Sequence, residues 1–123
     1  APLGHWLPFS AVIPAWNAIR ILPGPYRVAN FDLQTRAHVS NSAPVGIYRG
    51  AGRPEAALLL ERLVDNAARA LNIDPLLLRA INLLRSDELP LPRSTGARLD
   101  SGDFLAALNQ LRETARYDDL RTV

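Results

Sequence analysis

The chain has 123 residues, 14 Lys plus Arg against 12 Asp plus Glu, 48% apolar residues, and neither Cys nor Met. That is the size and balance of one ordinary domain, and it excludes a disulfide framework, a thiolate nucleophile, iron–sulfur ligation and a Cys-based zinc site within this chain. A formal charge of +2 from scattered basic residues gives no nucleic-acid footprint. There is no apolar run of about 20 residues and no charged-then-apolar leader, so a cytoplasmic location without a membrane span is expected. With Ala1 in first place and Met nowhere, the chain is expected to be a piece of something larger.

In chain order, residues 1–24 carry Pro2, Pro8, Pro14 and Pro23 and read as an extended Pro-rich segment that needs external partners to stay ordered. Residues 25–39 read as a strand after the Leu22-Pro23-Gly24-Pro25 turn. Phe31, Leu33, Thr35, Ala37 and Val39 alternate with Asp32, Gln34, Arg36 and His38, and the partner is either Ala11–Ile13 or a strand outside the chain. Residues 40–84 form a glycine-rich loop and two helices. Pro54 suits the first turn of the first, whose apolar stripe is Ala56, Leu59, Leu60, Leu63, Val64, Ala67 and Leu71. Asn72-Ile73-Asp74-Pro75 ends that helix and starts the next, with Asp74 as its cap, to about residue 82 or 84.

Residues 85–99, with Pro90, Pro92 and Gly96, read as a connector. Over 100–123, Asp100 or Ser101 is expected to cap a last helix carrying Phe104, Leu105, Leu108, Leu111 and Ala115, before a charged tail from Tyr117 that frays. The fold class is therefore α+β: a strand-containing N-terminal part followed by three helices, all within one partial domain. Three apolar helix faces and a strand compete for burial in a body this small, which predicts a large hydrophobic interface with other polypeptide.

The stretch most suggestive of chemistry runs from Ser40 to Glu55, a glycine-rich turn placed where backbone N–H groups converge ahead of a helix. It lacks the third Gly of a dinucleotide fingerprint and the Lys of a phosphate loop. Arg49 and Arg53 either address phosphate or metal-oxo oxygens or pair with carboxylates such as Glu55 and Glu61; the sequence leaves both readings open. His38, Ser40 and Ser42 lie close in sequence but outside any nucleophile elbow, so they read as surface and turn residues. The two His, at 5 and 38, are too dispersed for an imidazole metal site. Asp87-Glu88 and Asp118-Asp119 read as solvated pairs with unperturbed pKa values. Trp6, Trp16, Tyr26 and Phe31 read as packing residues.

The run Asn41-Ser42-Ala43-Pro44-Val45-Gly46-Ile47-Tyr48-Arg49-Gly50-Ala51-Gly52-Arg53-Pro54-Glu55-Ala56 is followed by Leu60-Glu61-Arg62-Leu63-Val64-Asp65 and by Asp74-Pro75-Leu76-Leu77-Leu78-Arg79-Ala80-Ile81-Asn82. In that order these segments resemble the molybdenum-binding large subunit of the molybdenum hydroxylases, the family of xanthine dehydrogenase, aldehyde oxidase and aerobic carbon monoxide dehydrogenase. Thr95-Gly96 and Asp100-Ser101-Gly102-Asp103-Phe104 extend the likeness. It implies one internal piece of a longer subunit that binds molybdenum on molybdopterin, in its cytosine dinucleotide form.

By the same resemblance, Tyr48, Arg49, Gly50, Ala51 and Gly52 bind the cofactor, with Arg49 in a supporting role and Ala51 near the substrate. An aromatic stands at the position of Ala51 in xanthine-oxidising members. The implied reaction hydroxylates an aldehyde or N-heterocycle with water as oxygen donor. Electrons then leave through iron–sulfur clusters to FAD on partner subunits or domains of a heteromeric complex. No residue here is expected to be catalytic or to ligate metal, since the family's general-base Glu has no counterpart in this chain and neither Glu55 nor Glu61 inherits its role. The alternative is a noncatalytic structural or assembly module that retains the helix scaffold.

Overall fold

Proline placement starts the first helix. In the computed structural model, which describes residues 3–5 and 9–121, Pro14 lies in the first turn of α1 (Ile13–Ile21), where a missing N–H removes no intrahelical bond. A 3₁₀ turn over Phe9–Val12 leads in, and the chain turns extended at Leu22 before Pro23. The extended reading of 1–24 is thus corrected: its prolines bracket a helix instead of preventing one. Pro2, Trp6 and Pro8 lie outside the described residues.

No strand runs over 25–39. Tyr26 makes a single antiparallel bridge to Leu83, flanked by Arg27 N–H donating to Asn82 O at 2.7 Å and Leu84 N–H donating to Pro25 O at 2.9 Å. Strand alternation needs a paired neighbour, and the predicted partner Ala11–Ile13 is helical. Residues 3–5 supply a short pairing instead, with Leu3 N–H donating to His38 O at 2.8 Å and Ser40 N–H to Gly4 O at 2.9 Å. Phe31 and Leu33 are half-buried, while Thr35, Ala37 and Val39 are exposed.

Helix α2 (Arg53–Leu71) has Pro54 in its first turn and closes on Asn72, whose left-handed φ of 53° ends the helical run. Asp74 caps α3 (Pro75–Asn82), accepting from Leu76 N–H at 2.8 Å and Leu77 N–H at 3.1 Å. The connector holds a short antiparallel ribbon, β1 (Leu91–Pro92) with β2 (Arg98–Leu99), Leu91 opposite Leu99. The cap of α4 (Phe104–Thr114) is Asp103, not Asp100 or Ser101: its carboxylate accepts from Ala106 N–H at 2.9 Å. The tail does not fray at Tyr117. It forms α5 (Tyr117–Arg121), which docks on the α3 cap through Tyr117 OH donating to Asp74 Oδ2 at 3.2 Å and Arg121 Nε at 3.7 Å from the same oxygen.

Helices and one two-stranded ribbon thus make up the architecture of the described residues, and none of these helices is long and apolar enough to cross a membrane. The apolar core is thin: Leu3, Ala11, Tyr26, Ala56, Ala68, Leu83 and Leu84. Within the predicted α2 stripe only Ala56 is buried, whereas Leu59, Leu63 and Leu71 are exposed. The chain exposes 8965 Å², against about 6,500 Å² for a globular monomer of this mass. Size scaling therefore leaves a surplus of surface large enough for a substantial interface.

The polar centre of the fold is Arg79, whose side chain is 14% exposed. Its Nε donates to Glu61 at 2.8 Å and its Nη2 to Asp65 at 2.9 Å, while Tyr26 OH donates to Glu61 at 2.9 Å. Glu61 and Asp65 lie four residues apart on one face of α2 and present two carboxylates to one planar fork. Asp87 and Glu88 are not unperturbed. The Arg85 guanidinium lowers Asp87. Glu88 accepts from Arg27 Nε at 3.0 Å and Nη2 at 2.5 Å and from the Arg85 amide at 2.7 Å, which holds it at about 2 from an ordinary 4.5.

Two expectations follow. Arg79→Met leaves the Glu61 and Asp65 carboxylates without their cation; because both are partly solvated, the loss should be about 1–2 kcal/mol, read as a lower Tm of the assembled protein. Glu88 has a folded value below its unfolded one, so its contribution is complete above about pH 4.5 and is lost as pH falls toward about 2. Glu88→Gln should flatten the acid side of the Tm–pH curve over that window, and an unchanged slope would refute the assignment.

Candidate functional site

The loop ahead of α2 is two successive backbone turns, closed by Ala51 N–H donating to Tyr48 O at 3.0 Å and Arg53 N–H donating to Gly50 O at 2.8 Å. Gly50 and Gly52 sit at φ of 84° and 83°, where a side chain strains the backbone. Their surroundings differ. A Cβ on Gly52 would collide with the Pro14 carbonyl oxygen and come within 2.7 Å of Ala18 N and 3.0 Å of Asn17 Cβ, all on α1. A Cβ on Gly50 would meet nothing nearer than the Pro54 ring at 3.7 Å. Gly52 therefore lets the turn lie directly on a helix, whereas Gly50 would accept a Cβ with no more than ordinary contact to the Pro54 ring.

A second tie runs from Asn17, whose Nδ2 donates to Ala51 O at 3.1 Å. From this seated base the turn presents Tyr48, 89% exposed, and the exposed Arg49, with Ala51 half-buried behind them. The sequence left the partners of Arg49 and Arg53 open. Glu61 is taken by Tyr26 and Arg79, and among the described residues neither Arg49 nor Arg53 forms an ion pair. A cleft of about 590 Å³ lies behind the turn, between α1, the start of α2 and the 34–46 stretch; Pro14, Ala18, Val45, Glu55 and Leu59 are among its lining.

Other sequence candidates do not assemble. Ser40 Oγ and Ser42 Oγ bond each other at 2.8 Å, and the Ser42 carbonyl lies 2.9 Å from His5 Nδ1, so His38 and the serines form no relay. Among the described residues no group of three or more His, Asp or Glu is placed to hold a metal. Sequence reasoning missed the α1 side of the site: Pro14, Asn17 and Ala18. The available signal was the spacing of Pro14 and Ala18, two compact residues four apart that leave a groove on one helix face.

The two glycines make distinct predictions. Gly52→Ala combines strain with a backbone collision and should cost more than about 2 kcal/mol of stability, whereas Gly50→Ala carries only backbone strain of about 1 kcal/mol. Equal losses of Tm in the two variants would contradict the seating of the turn on α1.

Comparison with known proteins covers the same ground. The family model described as "Molybdopterin cofactor-binding domain" matches residues 1–83. The chain is 33% identical over 104 residues to the 6-hydroxypseudooxynicotine dehydrogenase complex subunit gamma of Paenarthrobacter nicotinovorans, covering 80% of this chain and 13% of that one. It is 34% identical over 99 residues to the carbon monoxide dehydrogenase large chain of Hydrogenophaga pseudoflava, covering 79% and 12%. Among solved structures, quinoline 2-oxidoreductase from Pseudomonas putida 86 superposes with a TM-score of 0.83 at 27% identity, covering 99% of this chain and 16% of that one. The chain thus spans only 11–19% of the length of these and the other curated relatives it matches. A helical scaffold that seats a glycine turn on α1, and a family match running through that turn, converge on one conclusion: the chain belongs to the molybdopterin cofactor-binding domain family.

Proposed function

We propose that this chain is a segment of the molybdenum-cofactor-binding subunit of an oxidoreductase that hydroxylates an N-heterocycle or an aldehyde with water as oxygen donor, and that the Tyr48–Gly52 turn lies beside the cofactor. The observation that carries this reading is the turn itself. It is fixed to α1 from below through Gly52 and presents above a cation that has no carboxylate partner among the described residues and a glycine where a Cβ would meet only the Pro54 ring, at 3.7 Å. The residues present fit such a group. The open side of Gly50, where a Cβ would find no atom within 3.4 Å, admits close approach, and the Arg49 fork supplies donors to anionic oxygens.

When bound, the group supplies the two-electron oxidation and the site at which oxygen from water enters the substrate. This chain's residues bind and orient. Arg49 would hold the group by its N–H donors, Gly50 would let the backbone come up to it, and Ala51 would leave room for the substrate. The names of relatives support an N-heterocyclic substrate, since they include the nicotine 6-hydroxylase large subunit and quinoline 2-oxidoreductase. With no Cys in the chain, iron–sulfur clusters belong to partner chains or domains of a heteromeric assembly, and FAD goes with them by the same family reading. The cytosine dinucleotide form of the cofactor and a cytoplasmic location go with the same reading.

Arg49→Ala in the assembled enzyme tests it. The variant should lose molybdenum and pterin, or retain them and lose turnover by about 10²-fold, with Tm unchanged because Arg49 is exposed and has no ion-pair partner among the described residues. Full metal content together with full turnover would sink the cofactor-site reading and favour a noncatalytic assembly module.

A further inference from the structure

We propose that Asn17 is a positioning residue for the Tyr48–Gly52 turn: from the middle of α1 its side-chain amide holds the Ala51 carbonyl and so sets how Tyr48, Arg49 and Gly50 are presented. The inference rests on the reading of that turn given above. The contact of Gly52 with Pro14 O and Ala18 N fixes how closely the turn approaches α1, but one contact leaves the turn free to rock about it. The bond from Asn17 Nδ2 to Ala51 O, at 3.1 Å, adds a second point one residue away. Two points restrict that rocking to the axis that joins them.

The backbone geometry leaves that role open for a side chain. The two turn bonds use the carbonyls of Tyr48 and Gly50 and the amides of Ala51 and Arg53, so the Ala51 carbonyl is turned outward, toward α1. Asn is a poor residue for a helix interior unless its amide has work off the helix, and here it has. The platform is itself braced at its other end, where Thr95 Oγ1 donates to Arg20 O at 2.6 Å and Arg20 Nη2 donates to Gly96 O at 3.4 Å. Because Arg49 has no ion-pair partner among the described residues, no side chain among them holds its guanidinium, and the backbone beneath it sets the point from which the side chain extends.

The test compares wild type, Asn17→Ala and Asn17→Asp in the assembled, cofactor-loaded enzyme. Asp keeps the shape of Asn but presents an oxygen to the Ala51 carbonyl and donates nothing when ionised. Both variants should exchange the Ala51 and Arg53 amides about 5-fold faster. Pterin and molybdenum content should be retained, and the electron paramagnetic resonance signal of molybdenum after dithionite reduction should shift or broaden. Wild-type exchange in both variants overturns the positioning role and leaves the reading of the turn intact. Faster exchange with an unaltered molybdenum signal overturns the placement of the turn beside the cofactor, and the inference with it. Faster exchange along the whole of α1, with a lower Tm, makes Asn17 a helix-stability residue and also overturns the proposal.

Discussion

One guanidinium ties α2, α3 and the loop that carries Tyr26 to one another. Arg79 reaches from α3 to Glu61 and Asp65 on α2 and back to the carbonyl of Pro75, at 3.1 Å, in its own helix. Glu61 in turn accepts from Tyr26, so one carboxylate ties both a helix and the incoming loop to the same cation. The buried Tyr26 phenol is kept protonated: burial pushes its ionisation up, and the Glu61 carboxylate adds to that. From Tyr26 the order propagates through the backbone, by its bridge to Leu83 and by the Arg93 guanidinium, whose Nη2 lies 2.8 Å from the carbonyl oxygens of both Gly24 and Tyr26. Loss of any member leaves partly buried charge or carbonyl groups without partners, which is why the network acts as a unit.

Polar ties matter so much because the apolar core is small. The α2 leucines sit at core spacing, yet Leu58 is 65% and Leu63 64% exposed, and Leu77 and Ile81 on α3 are uncovered as well. Apolar exposure on this scale costs solubility unless another surface covers it. Relatives several times longer have the polypeptide to cover it. The same reasoning explains the alternation over 25–39: Phe31 and Leu33 are spaced as a strand would space them, but their backbone meets no ladder within the described residues. The pattern records an environment that this stretch of chain does not itself supply.

Much of the helical content was legible. Pro54, the leucine spacing after it and the Asp74-Pro75 pair announced α2 and α3 through local rules, caps and a 3.6-residue period, that need no tertiary knowledge. The glycine turn was legible as a candidate from the residues and as a site only through resemblance. What could not be read was pairing at long range. Pro14 signals a break or a helix start with equal force, and its meaning here is set by Gly52, far away in the chain. Gly52 was assigned to the cofactor by resemblance alone, and nothing in the sequence showed that α1 packs directly against it. Which aspartate caps α4 depended on the turn before it, and the docking of α5 depended on Asp74 having a free oxygen left after capping α3.

The ribbon of β1 and β2 is only two residues a side, yet the turn that joins its strands carries Arg93 and Thr95, which grip the carbonyls of Gly24 and Tyr26 after α1 and the Arg20 carbonyl of α1 itself. The family match ends at residue 83, before these residues begin. The segment that shapes the glycine turn is therefore shorter than the segment that keeps it in shape. Cutting the chain where the family model's match ends would preserve every residue of the turn and of the helix beneath it while removing the strut that braces them.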